Sequence, residues 1–177
     1  MATFTARPPA SAPAGAGVTG RRPRSVTALA AVLFFLGLTA VGGGTALVLG
    51  RGAPPDAWLD RIPVVDSWTV PGLVLGLGFG VGSLVTGYGV LSGRSWSWLA
   101  GLERRTRHQW SWSAAILLGL GQAAWLGLET VYLPALSPLQ FIYAVVAVAL
   151  LALASLRSTR TYLRRGTRPA PDTAIRP

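Results

Sequence analysis

Cysteine is absent from the 177 residues. That excludes disulfides, thiolate metal sites, iron–sulfur clusters and a cysteine nucleophile. Lysine is absent too, so all 16 basic side chains are arginine. A single histidine, His108, excludes a His-pair haem and His-rich metal sites. Charge is scarce: charged residues make up 12% of the chain, about half the ~25% of a soluble domain. Six acids against 16 arginines leave a net charge of +10. What is abundant is apolar, at 51% of residues with a mean hydropathy of +0.47. So little charge cannot cover a water-facing surface, and these proportions predict a small integral membrane protein.

Four long apolar runs organise the chain. Residues 1–24 are mostly Pro, Ala, Gly, Ser, Thr and Arg. They cannot bury enough surface to offset ordering entropy and read as a disordered tail. The first run, Ser25 to Gly50, carries no charge. At 1.5 Å per residue it reaches about 39 Å, enough to cross a hydrocarbon core of about 30 Å with tilt. The second run spans about 70–92, the third about 111–133 with Glu129 its only charge, and the fourth about 139–156. None alternates strictly, which argues against barrel strands. Helices are then the way to satisfy backbone polar groups in lipid. The expected fold is all-α, an integral membrane four-helix bundle over residues 25–156, with a basic tail over 157–177. Pro71 falls at the start of the second span, where a missing N–H costs little. Pro134 and Pro138 bracket a tight turn that makes spans three and four an antiparallel pair.

Arginine counting sets the orientation. Fourteen arginines lie before span one, between spans two and three, and after span four; only Arg51 and Arg61 lie on the other side, beside Asp56, Asp60 and Asp66. The positive-inside rule places both termini in the cytoplasm of a plasma-membrane protein. Trp96, Trp98, Trp110 and Trp112 flank the basic connection, and Trp58 and Trp68 the acidic one, the distribution of an interfacial aromatic belt. The arginine clusters abut spans, so the bilayer and its anionic lipids are the expected partners there. No nucleic-acid fold accompanies the clusters, and no nucleic-acid role is expected. Gly44-Thr45-Ala46 offers a weak cleavage site, but the run before it is long for a signal peptide.

Small residues recur four apart. Gly72, Gly76 and Gly80 form one such stripe, and Ala115, Gly119, Ala123 and Gly127 another. This spacing lines one helix face and allows close backbone approach, within one bundle or between copies. Glu129 is the only ionisable side chain in a predicted span, about 6 Å from its outer end. Gln122, Trp125 and Tyr132 share its helix face. An acid in lipid costs about 2.5–3.5 kcal/mol at the centre on insertion scales, less near the boundary. Three readings follow: a structural acid bonded to Gln140, Tyr143, Arg51 or Arg61; a cation or proton carrier; or a snorkelling acid. The three aspartates between spans one and two match no calcium loop. Residues 55–62 read as a short interfacial helix with Trp58, Leu59 and Ile62 dipping into lipid.

Two stretches carry a resemblance. One runs from Val41 to Trp68, with Gly42-Gly43-Gly44, Ala46-Leu47 and an Asp-x-Trp just before Val70-Pro71-Gly72. The other holds Trp125-x-x-x-Glu129, Leu139-Gln140 and Tyr143. Together they resemble a group of small bacterial four-span membrane proteins of unassigned function, over about residues 25–156. The resemblance implies four spans, with Glu129, Gln140 and Pro71 as features of a shared bundle, and no activity. No cofactor or metal is expected, nor an enzyme, because the polar residues are scattered rather than gathered at one level. The expected role is an accessory or interaction subunit, with a second copy or another membrane protein as partner. The rival is a minimal proton- or cation-coupled transporter or channel using Glu129.

Overall fold

The structure, a computed structural model, describes residues 22–164 except 52, 63, 64, 95, 97, 98, 107 and 133–136. The tails before 22 and beyond 164, Trp98 and the turn at Pro134 therefore lie outside the described residues. The described residues are helical. Four helices are long and apolar enough to cross a membrane: α1 (Arg24–Val48), α2 (Thr69–Ser92), α4 (Trp110–Tyr132) and α5 (Pro138–Ser155). Three short helices accompany them: a 3₁₀ turn over Asp56–Arg61, α3 (Ala100–Thr106) and α6 (Arg157–Tyr162).

Helix boundaries follow local chemistry. α1 holds no proline between its cap at Pro23 and Val48. α2 keeps Pro71 in its first turn, and Gly72 N–H donates to Trp68 at 2.9 Å. It ends at Gly93 with φ +64°, the left-handed conformation glycine adopts without strain. α5 starts at Pro138 behind Ser137, whose backbone N–H donates to Gln140 Oε1 at 2.8 Å in a capping box. One feature departs from the regular helix the apolar run predicts. Val74–Val81 is π-helical, and Gly76, Gly78 and Gly80 bring no Cβ to crowd the widened turn.

Each long helix packs on two others. α1 lies between α2 and α5, and α4 completes the ring between the same two. All neighbours are antiparallel: Gly44 meets Gly72 and Gly76 while Gly87 meets Phe34, Gly89 meets Trp110 while Gly121 meets Phe79, and Gly119 meets Leu151 while Trp112 reaches Ala154, which leaves α5 antiparallel to α1 as well. α1 supplies most of the core through Val26, Leu29, Ala30, Leu33, Leu36 and Ala40, met by Val90, Ala115, Val146, Leu150 and Ala154. The i, i+3, i+4, i+7 spacing puts them on one face.

The outside of the ring is as apolar as the inside. Leu117, Val131, Phe141 and Val148 are each at least 67% exposed. Leaving such side chains in water forfeits about 1.5–3 kcal/mol apiece, so this surface suits hydrocarbon. The antiparallel arrangement gathers exposed Arg24, Arg94, Arg105, Arg157, Arg160 and Arg164 at one end and leaves Arg51 with Asp56, Asp60 and Asp66 at the other. These are called the arginine end and the aspartate end below.

Candidate functional site

The two ends are built differently. At the arginine end, short elements fold back and close the bundle. Glu103 of α3 is buried, and its Oε1 accepts the backbone N–H of Trp110 at 3.2 Å, capping the first turn of α4. An acid at a helix N-terminus also meets the positive pole of the helix dipole. Gln109 Nε2 donates to the Gly89 and Arg94 carbonyls at 3.2 and 3.1 Å, and Trp110 Nε1 donates to the Arg94 carbonyl at 3.0 Å. The Gly89 carbonyl, which also accepts the Gly93 N–H at 3.1 Å, and the Arg94 carbonyl just beyond the end of α2 are thereby tied to the start of α4. Trp112 Nε1 does the same for Ala154 near the end of α5, at 2.9 Å.

Of the tryptophans here, Trp110 is buried in protein, and Trp96 and Trp112 are half-buried. Trp110 is 5% exposed and stacks on Trp96 at 4.9 Å. Trp112 stacks on His108 at 4.3 Å and lies 5.9 Å from the Arg160 guanidinium. His108 is half-buried, and its backbone pairs with Arg164. An indole packs wherever its N–H finds an acceptor, and frayed helix ends offer acceptors.

The aspartate end is open. A cavity of about 410 Å³ lies between the ends of α1, α2 and α4 and the connection between α1 and α2, within the roughly 300–1,000 Å³ of typical ligand sites. Leu47, Val70, Val74, Leu75 and Leu128 give it apolar walls, and Glu129, Trp125, Trp68 and Tyr132 line it as well. Trp125 Nε1 donates to Glu129 Oε1 at 2.6 Å, and the Trp125 ring meets Phe79 of α2 edge-on at 6.0 Å. The acid is thus held by its own helix, with Trp125 steadied from α2. Trp68 Nε1 is buried and has no hydrogen-bond partner among the described residues. Ile62, Val65 and Trp68 also line a second hollow of about 620 Å³ that gathers Asp56, Asp60 and Asp66.

Of the residues that sequence reasoning grouped, Glu129, Trp125 and Tyr132 line the cavity together. Gln122 is 2% exposed and finds no partner for its Oε1 among the described residues; it does not line the cavity. Gln140 is occupied as the cap of α5. The partner of Glu129 is Trp125, a residue four before it and absent from the expected Gln140, Tyr143, Arg51 and Arg61. Of the interfacial turn, Ile62 faces the cavity and Trp58 and Leu59 are half-buried. Sequence reasoning missed Trp68 as a lining residue, together with Glu103 and Gln109. The available signal for Glu103 was its position as the sole acid among the arginines of that connection.

The glycine stripes divide. A Cβ on Gly72 would meet Gly44 O at 2.9 Å, one on Gly80 would meet Val41 N at 2.9 Å, and Gly76 lies against Gly44. This stripe packs α2 on α1. A Cβ on Gly119 would meet Leu151 of α5 at 2.8 Å. Ala123 and Gly127 are exposed, and a Cβ on Gly127 would meet nothing within 4 Å, so they pack no described helix of the same copy. The turn of about 100° per residue carries the α4 stripe around the helix, away from α5. No group of three or more metal-ligating side chains occurs among the described residues.

No protein-family model, curated protein or solved structure matches this chain.

Proposed function

We propose that the chain is a plasma-membrane protein with four spans and both termini in the cytoplasm, acting without catalysis as an accessory subunit through its outer end. The arginine imbalance supports the orientation, with the aspartate end outside. The observation that carries the role is the asymmetry of the bundle. Its arginine end is capped by Glu103, Gln109, Trp110 and Trp112 and carries only an open surface hollow beside Pro23 and Tyr162, whereas its aspartate end opens a largely apolar cavity with one acid, Glu129. Apolar walls with a few placed polar groups suit binding. An acid–base reaction needs positioned partners within hydrogen-bond reach of the reacting atoms, and Glu129 is engaged by Trp125.

A transporter or channel is the second reading, favoured by Glu129 standing in the cavity. Against it, the core behind the cavity is packed with Leu29, Leu33, Leu36 and Leu150, all 0% exposed, and the polar side chains buried there, Gln122, Ser83 and Thr86, include none of the acids or histidines that proton relays use. Proteoliposomes holding a pH-sensitive dye separate the two. The accessory reading predicts that wild type and Glu129→Gln leak protons and monovalent cations at the rate of empty vesicles. Flux in wild type that disappears in Glu129→Gln would overturn it in favour of the transporter.

A further inference from the structure

The open cavity is lined by apolar side chains and one acid, Glu129, at the end of the spans. The Glu129 carboxyl accepts, and only its Oε1 has a described donor, Trp125. A ligand that completes the cavity therefore brings a hydrocarbon chain and an N–H donor close together, at the depth where lipid headgroups begin.

We infer that the cavity binds one outer-leaflet phospholipid with a primary ammonium headgroup. The ammonium donates to Glu129, and an acyl chain lies along Val74, Leu75 and Leu128. An acid facing the site favours a cationic group. A primary ammonium is chosen over a methylated one because only it has N–H donors.

This inference rests on the membrane reading above, and it fails separately from the accessory role. The full-length protein is reconstituted in phosphatidylcholine vesicles, and tryptophan fluorescence is quenched with brominated-chain phosphatidylethanolamine or brominated-chain phosphatidylcholine at matched mole fractions. Wild type is expected to associate with the ethanolamine lipid roughly two- to tenfold more strongly, the range one net hydrogen bond gives. Glu129→Gln is expected to bring the ratio to one. The wild-type ratio decides even if a variant fails to fold: equal quenching by the two lipids overturns the assignment. So does a ratio that survives in folded Glu129→Gln. Saturable quenching by bromododecylamine, with the two lipids equal, would assign the cavity to free amines and overturn the phospholipid. Proton flux in the dye assay would instead sink the accessory role and leave the lipid ratio untouched.

Discussion

At the scale of single residues, glycine and glutamate do different work in the same solvent. In hydrocarbon the helices gain no hydrophobic driving force from pairing, so association depends on close contact. Gly44 shows how close: a Cβ there would stand 2.5 Å from Gly72 O and Gly76 N, backbone atoms that cannot swing aside. Gly42, two residues earlier in the same run, has nothing within 4 Å. Gly44→Ala is therefore expected to destabilise the bundle by about 1–3 kcal/mol, the usual cost of overpacking. Gly42→Ala is expected to be neutral or to stabilise by up to about 1 kcal/mol through helix propensity. Thermal unfolding in detergent, followed by circular dichroism, ranks the two; equal melting temperatures would remove Gly44 from the contact. The stripe of Gly72, Gly76 and Gly80 was legible as a small-residue face, since spacing alone reveals a face. Which helix it meets was not, because a face carries no label for its partner. Glu129 was legible for the same reason that it is rare, a charge in an apolar run. Its bond to Trp125 was within reach of the i, i+4 rule, yet distant polar residues were weighed first.

At the scale of elements, the four long apolar helices were written in the sequence and the contacts that close their ends were not. The apolar runs predicted bounds within two residues of α1, α2, α4 and α5, because hydrocarbon demands about 20 apolar residues for each crossing. The π-helical stretch Val74–Val81 left no such signature. Nor did the closure of the arginine end. Composition made that connection a basic, tryptophan-flanked loop, whereas α3 returns Glu103 to the start of α4 and Gln109 to the end of α2. Those contacts span 7 and 20 positions, beyond any local period. The closure gives its own prediction. Glu103→Ala removes the acceptor of a buried N–H and is expected to cost about 1–3 kcal/mol, while Glu103→Gln keeps an acceptor oxygen and recovers part of that loss. Urea titration of detergent-solubilised protein, read by tryptophan emission, orders wild type above the Gln variant and the Gln variant above Ala. An Ala variant as stable as wild type would show that the cap carries no weight.

At the scale of the whole molecule, solvent decides what the chain can be. A ring of four helices that is apolar on both faces has no stable arrangement in water, and in a bilayer it needs only its ends wetted. The ends differ in charge, and under the proposed orientation the cavity at the aspartate end opens toward the outer leaflet, where a lipid can enter sideways. The central claim, that the chain crosses a bilayer four times with its arginine end inside, is tested most directly by paired reporters. Alkaline phosphatase and green fluorescent protein are each fused after Pro177, and each is inserted beside Asp56. The account predicts fluorescence without phosphatase activity at Pro177, and the reverse beside Asp56. Phosphatase activity at Pro177, or release of the protein from vesicles by alkaline carbonate, would contradict it.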